Sequence, residues 1–219
     1  MKKLIIVRHG QAEHHIKNIT GGWTDLPLTE LGRKQALNTG HSLLHILEGL
    51  DYKFYSSDLL RAAETAQIIS GVLSKKPVYS PELRELNNGV AANLLKEEAK
   101  KIRLSKKDEH AIDWIPYPEA ESWRMMDTRI RSFMDSIDKL EDDTVLLVTH
   151  ANSIIAMVDW LLEIKDDDSI ARIMYDADPC SITILGVDND GCKKICKLND
   201  SSHLVELTDY HIKTIEVGA

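Results

Sequence analysis

The strongest constraint on this chain is an alternation: short apolar runs rich in β-branched residues are separated by stretches whose apolar residues recur at helical spacing. The runs are Leu4 to Val7, Tyr52 to Tyr55, Val145 to Val148 and Ile182 to Leu185. They are too short for helices and lack the polar alternation of a half-exposed strand, which predicts strands buried on both faces. Between them, Leu37, Gly40, Leu44 and Leu47 make one stripe, Leu59, Ala62, Ala66, Ile69 and Leu73 a second, and Ile130, Phe133, Met134, Ile137 and Leu140 a third. Strands joined through helices need right-handed crossovers, which make neighbouring strands parallel. The expected fold class is therefore α/β, a three-layer sandwich with a mostly parallel sheet between helices.

The tail departs from that rhythm. Ile182 to Val187 and Lys194 to Leu198 flank the turn cluster Asp188-Asn189-Asp190-Gly191, so a hairpin should put an antiparallel strand at the sheet edge. The stretch from Gly89 to Ser122 also breaks the pattern, with a charged helix (Leu94 to Leu104) followed by Trp114-Ile115-Pro116-Tyr117-Pro118. It is expected to be a lid excursion, approximately residues 89–122, rather than a second domain. At 219 residues, a single domain over 1–219 is the expectation.

Charge and cysteine content narrow the partners. The net charge of −8 argues against a surface that displaces counterions from nucleic acid or anionic lipid, so no nucleic-acid or membrane partner is expected and any anionic ligand needs a local basic pocket. Met1-Lys2-Lys3 before Leu4 to Val7 imitates a signal peptide, but Arg8 ends the apolar run far too early. The run Ile154 to Val158 likewise stops at Asp159, short of the ~20 residues of a membrane span. Cys180, Cys192 and Cys196 are an odd set crowded into the last fifth of the chain, which fits a reducing, cytoplasmic setting better than a disulfide framework. Burial is the expectation for Cys192 and Cys196.

Chemistry gathers at the ends of the apolar runs. Arg8-His9-Gly10 follows the first and Thr149-His150 the third, so both histidines should emerge at carboxyl ends of parallel strands, where open α/β sheets bind ligands. Ser56-Ser57-Asp58-Leu59-Leu60-Arg61 follows another strand and puts Arg61 in the first turn of a helix, where free N–H groups favour an anion. Forked guanidiniums suit phosphoryl oxygens, and a neutral imidazole beside them can act as nucleophile.

The same segments carry a resemblance. Ile6-Val7-Arg8-His9-Gly10-Gln11, then Gly22-Trp23-Thr24-Asp25-Leu26-Pro27-Leu28-Thr29-Glu30-Leu31-Gly32 with Gln35-Ala36, then Ser56-Ser57 through Arg61-Ala62 with Thr65-Ala66 follow one another as in the histidine phosphatase superfamily, also called phosphoglycerate mutase-like. Leu83-Arg84-Glu85 with Gly89, Val148-Thr149-His150, and Asn199-Asp200 with His203-Leu204 complete a resemblance spanning roughly residues 3 to 204. It implies that His9 is the phosphate-accepting nucleophile, that Arg8, Arg61 and His150 form the phosphate pocket, and that Glu85 is the proton donor. No metal and no cofactor are implied.

The departures from the family pattern fall on substrate contacts. His15 stands where relatives commonly carry a phosphate-touching asparagine, with Asn18 close enough in sequence to serve; Ala151, Asn93 and Ala120 replace frequent glycines. His14 and His15 could both be loop residues, His15 being the better placed to face the pocket. His41 and His45 have the spacing of zinc ligands but no third ligand, and read as an ordinary helix face. The basic run from Lys96 to Lys107 reads as a solvated helix, and Trp114, Tyr117 and Trp123 as lid packing. The resulting expectation is a phosphatase acting on phosphate monoesters of small metabolites through a phosphohistidine. The alternatives are a phosphoglycerate mutase, disfavoured by the short lid, and a non-catalytic phosphate-ligand binding protein. A homodimer is left open.

Overall fold

The structure is a computed structural model that describes residues 1–140 and 143–207. In chain order its elements begin β1 (Lys3–Arg8), α1 (Glu13–Ile16), α2 (Glu30–Ile46), β2 (Lys53–Ser57), α3 (Leu60–Leu73) and β3 (Val78–Ser80). They continue with α4 (Lys96–Lys101), α5 (Trp123–Asp138), β4 (Thr144–Thr149), α6 (Ala151–Leu161), α7 (Asp167–Arg172), β5 (Ile182–Val187) and β6 (Lys193–Asp200). The six strands form one sheet in the order β3-β2-β4-β1-β5-β6. The first four are mutually parallel, and β5 is antiparallel to both β1 and β6.

The period of two along each strand builds the layers. Leu4 and Ile6 of β1, with Val145 and Leu147 of β4, pack on Met126, Ile130 and Met134 of α5 and Ile154 and Val158 of α6. Ile5 and Val7, with Leu146 and Val148, face the other way onto Leu43 of α2 and Ala62, Ala66 and Ile69 of α3. Both faces are thus covered, which is why these strands read as unbroken apolar runs.

The expected tail hairpin is present at the sheet edge: β6 is outermost and pairs antiparallel with β5, which is also antiparallel to β1. Several other expectations need correcting. On that side Lys193 to Leu198 are exposed and Cys196 with them, while Cys192 lies in the exposed turn before β6, so neither cysteine is buried. The opposite edge carries β3, unforeseen in the sequence because it has only three residues between Pro77 and Pro81, with Val78 and Tyr79 exposed. On α2, Leu37 and Leu44 face solvent; the buried residues are Gly32, Gln35, Ala36, Thr39, Gly40 and Leu43. Leu140 is also exposed. The charged helix is shorter than expected, spanning only Lys96–Lys101.

Two close approaches explain glycines near the first histidine. A Cβ on Gly10 would lie 2.6 Å from the Gly32 carbonyl oxygen, and one on Gly32 would lie 2.0 Å from that of Gln11. The loop after β1 therefore rests directly on the first turn of α2. Among the described residues, no helix is long and apolar enough to cross a membrane.

Candidate active site

Strand register brings the site residues together. Arg8 pairs with Thr149 at the carboxyl ends of β1 and β4, and the His9 N–H continues the ladder to the Thr149 carbonyl at 2.9 Å. His9 and His150 then leave adjacent strands side by side, their ring centroids 5.0 Å apart. Ser57 ends β2 on the other side of β4, and its Oγ lies 2.8 Å from His150 Nε2. Arg61 stands in the first turn of α3, one turn beyond that strand.

The partners of His9 fix its tautomer. Nδ1 lies 2.7 Å from the Gly10 carbonyl, which can only accept, so Nδ1 carries the proton. Nε2 lies 3.1 Å from Arg61 Nε, which can only donate, so Nε2 carries the lone pair. Burial, then Arg61, His150, Arg8 and His15, hold the ring well below its ordinary pKa. The result is a neutral imidazole with a nucleophilic nitrogen beside a cation. Arg61 is itself tightly held: its Nη1 donates to the Thr24 carbonyl at 2.7 Å and its Nη2 to that of Gly22 at 2.8 Å. Burial lowers it to about 10.

The remaining donors surround this nitrogen. The Ser57 hydroxyl accepts from the Leu59 N–H and lies 2.8 Å from His150 Nε2, and the buried His150 Nδ1 has no protein partner. Arg8 Nη1 bonds the Ala177 carbonyl, while its buried Nε has no protein partner. The end of β6 holds that arrangement from outside. Asn199 Oδ1 accepts from the Asp178 N–H, and His203 lies within hydrogen-bonding distance of Thr39 on α2 and of the Cys180 carbonyl. The Cys180 N–H in turn bonds the Arg8 carbonyl.

His15 joins the cluster, stacked on His9 at 5.7 Å. Its Nδ1 accepts from the Ala12 N–H at 3.0 Å, capping the one-turn helix α1, so Nε2 bears the proton. That Nε2 lies 3.3 Å from Arg8 Nη2. Two donors facing each other make no hydrogen bond; an anionic oxygen between them would satisfy both. His14, not singled out as a pocket residue in the sequence, is buried 4.0 Å from the His15 ring and 6.1 Å from His9, with its Nδ1 lacking a protein partner. Burial pushes His14 down to about 3 and His15 to about 4, with neighbouring cations adding to both. One of those cations is Lys96, so the exposed first residue of α4 reaches the site electrostatically.

Glu85 approaches from the loop after β3. Its Oε1 accepts from the Leu86 N–H at 2.8 Å and its Oε2 from the Asn152 N–H at 3.4 Å, at the N-terminus of α6. Its carboxyl group is within electrostatic reach of both Arg8 and Arg61. Asn18 is not brought into the cluster: it is exposed, in a left-handed conformation, and its carbonyl accepts from the Lys96 N–H. His41 and His45 lie along α2 away from this edge, and among the described residues no three His, Cys, Asp or Glu side chains are arranged to hold a metal ion.

The sequence profile of the histidine phosphatase superfamily (branch 1) matches residues 4–201 of this chain, the stretch that carries these residues. The chain belongs to that family. A 2,3-bisphosphoglycerate-dependent phosphoglycerate mutase of Staphylococcus haemolyticus is 31% identical over 219 aligned positions, covering 81% of this chain and 95% of the mutase. One from Bartonella bacilliformis is 34% identical, covering 78% and 86%. Among solved structures, Bacillus stearothermophilus YhfR superposes with a TM-score of 0.75 at 27% identity, covering 93% of this chain and all of that one. A mycobacterial glucosyl-3-phosphoglycerate phosphatase bound to VO3 gives 0.75 at 24% identity, covering 92% and 100%. The last shares the fold of this chain.

Proposed function

We propose that the protein is a phosphatase that hydrolyses phosphate monoesters of small metabolites through a phosphohistidine on His9. The observation that carries this reading is the forced tautomer of His9: with Nδ1–H on the Gly10 carbonyl, Nε2 presents its lone pair where Arg61 and Arg8 can hold a phosphoryl group. Nε2 attacks phosphorus, the P–N bond forms as the ester P–O bond breaks, and Glu85 gives its proton to the departing oxygen. Water then attacks phosphorus and yields a proton to Glu85 as the P–N bond breaks, restoring His9. Arg8, Arg61, His15 and His150 supply the charge and donors for the equatorial oxygens. The segment 89–122 serves as the cover, with Lys96 its cation acting on His14 and His15.

The second reading, a phosphoglycerate mutase, is favoured by the 31–34% identity to such enzymes. The chain covers 86–95% of their length, so lid length alone does not separate the two. Cation supply favours hydrolysis: a mutase must also anchor a second phosphate while its phosphohistidine waits. Beyond the phosphate pocket Lys96 is the cation acting on His14 and His15, whereas Arg84 is engaged by Asp58 and Arg129 by Glu121. The test is incubation with 3-phosphoglycerate, with and without 2,3-bisphosphoglycerate, together with p-nitrophenyl phosphate. Release of inorganic phosphate without the 2-phospho isomer is the expected result. Bisphosphate-stimulated isomerisation would make the protein a mutase, and no turnover of any ester would leave a phosphate-binding protein.

A further inference from the structure

Glu85 sits in an irregular segment, between a 3-10 turn at Pro81–Leu83 and another at Gly89–Ala91, with no ladder to hold its backbone. Arg129 of α5 supplies that hold. Its Nη1 donates to the Glu82 carbonyl at 2.6 Å and the Arg84 carbonyl at 3.1 Å. Its Nη2 donates to the Glu85 carbonyl at 3.3 Å and to Glu121 Oε2 at 2.8 Å, and its Nε to Glu121 Oε1 at 3.0 Å. All five guanidinium donors are used. Glu121 also accepts from the Asn87 N–H at 3.0 Å, so the ion pair grips the segment on both sides of Glu85. Both side chains are mostly buried, 15% and 13% exposed.

A buried ion pair contributes little net stability over apolar residues of similar size, since desolvation offsets attraction. Its distinctive contribution is geometry, and here three of its five acceptors are carbonyls at and just before Glu85. On the other side, Trp23 Nε1 donates to the Glu85 carbonyl at 2.7 Å, and Ser153 Oγ to that of Arg84 at 2.9 Å. We propose that Arg129, oriented by Glu121, is a positioning residue that fixes the Glu85 carboxyl at the distance from which it protonates the leaving oxygen. This rests on the reading of Glu85 as the proton donor. Arg129 makes no hydrogen bond to His9, Arg8 or Arg61; its charge also helps hold His150 neutral, an effect that is the same for both leaving groups, whereas its hold on Glu85 is not.

Single-turnover phosphorylation rates test it, measured on an alkyl phosphate, whose alkoxide needs the proton, and on p-nitrophenyl phosphate, whose phenolate does not. Arg129→Met should lose about 10- to 100-fold on the alkyl ester, because a displacement near 1 Å is worth that much, and less than about threefold on the nitrophenyl ester. Arg129→Lys should recover part of the loss. In a Glu85→Gln background, Arg129→Met should have little further effect, since the group it positions no longer donates. Glu121→Gln, which keeps size and an acceptor, gives the same leaving-group signature at smaller amplitude and serves if Arg129→Met does not fold. Equal losses on the two esters, or losses that simply multiply with Glu85→Gln, would reduce Arg129 to a structural residue. If Glu85→Gln itself shows no leaving-group dependence, the assignment of the acid fails and the positioning role fails with it.

Discussion

Arg61→Lys is a conservative change on paper and a severe one in this site. Arg61 spans three acceptors, His9 Nε2, the Thr24 carbonyl and the Gly22 carbonyl, at 3.1, 2.7 and 2.8 Å. An ammonium reaches one of them well, so two hydrogen bonds from a buried cation are lost at about 1.5–3 kcal/mol each. Part of that appears as stability, because the loop holding Gly22 and Thr24 loses its anchor, and part as transition-state binding. A fall of at least about 10²-fold in kcat/KM, equivalent to about 3 kcal/mol, is expected. The surroundings add a second signature. Burial already brings Arg61 down to about 10, and an ammonium starts lower than a guanidinium, so the variant should lose its charge, and its remaining activity, at a lower pH than the wild type. Steady-state kinetics from pH 5 to 9, with urea titration for stability, separates the components. Near wild-type kinetics, or a flat alkaline profile, would refute the reasoning.

Asp159 on α6 is fully buried beside Asp127, and burial pushes its carboxyl up to about 6. Since the folded value lies above the unfolded one, the native state binds this proton more tightly and stability falls as pH rises from about 4 to 6. Asp159→Asn should therefore stabilise at pH 8 and have almost no effect near pH 3; a Tm gain independent of pH would contradict this. For His15, the N–H facing Arg8 is the functional group, so His15→Asn should stay within about threefold of wild type in kcat/KM and His15→Ala should lose about 10- to 100-fold. Because burial holds His14 and His15 near 3 and 4, the acid limb of the pH profile between 5 and 7 should not move in His15→Asn. A shifted limb would assign that titration to His15.

How much of this the sequence disclosed depends on how repetitive the packing is. β1 and β4 were legible because helices cover both faces, so every residue from Leu4 to Val7 and from Val145 to Val148 is buried. The face of α2 was misread for a physical reason: it buries small and polar residues. Gly40 lets α3 approach to where a Cβ would lie 3.0 Å from Val72, Gln35 accepts from the Gln11 N–H, and Thr39 meets His203. Leu37 and Leu44 therefore point outward while Leu43 alone of the three enters the core, against the usual weighting. Arg8, His9, Arg61 and His150 stood at the ends of strands or the start of a helix and could be located, whereas α1 has one turn and no period to orient His14. Asn18 was singled out by proximity in sequence, but the turn after α1 carries it to the surface. Cys192 and Cys196 were expected inside because burial is the default for free cysteines, but Cys196 lies on β6 and Cys192 just before it, and β6 has solvent on both of its faces.

The central claim is a covalent phosphoryl group on His9 Nε2, and rapid quenching with a labelled phosphate ester tests it most directly. Protein quenched within the first turnover, denatured in alkali and mapped by peptide mass should carry one acid-labile, alkali-stable phosphoryl group on the peptide containing His9, absent in His9→Ala. Label on another peptide, label that survives in His9→Ala, or steady turnover with no trapped intermediate and inversion rather than retention of configuration at an isotopically chiral phosphorus would contradict the account.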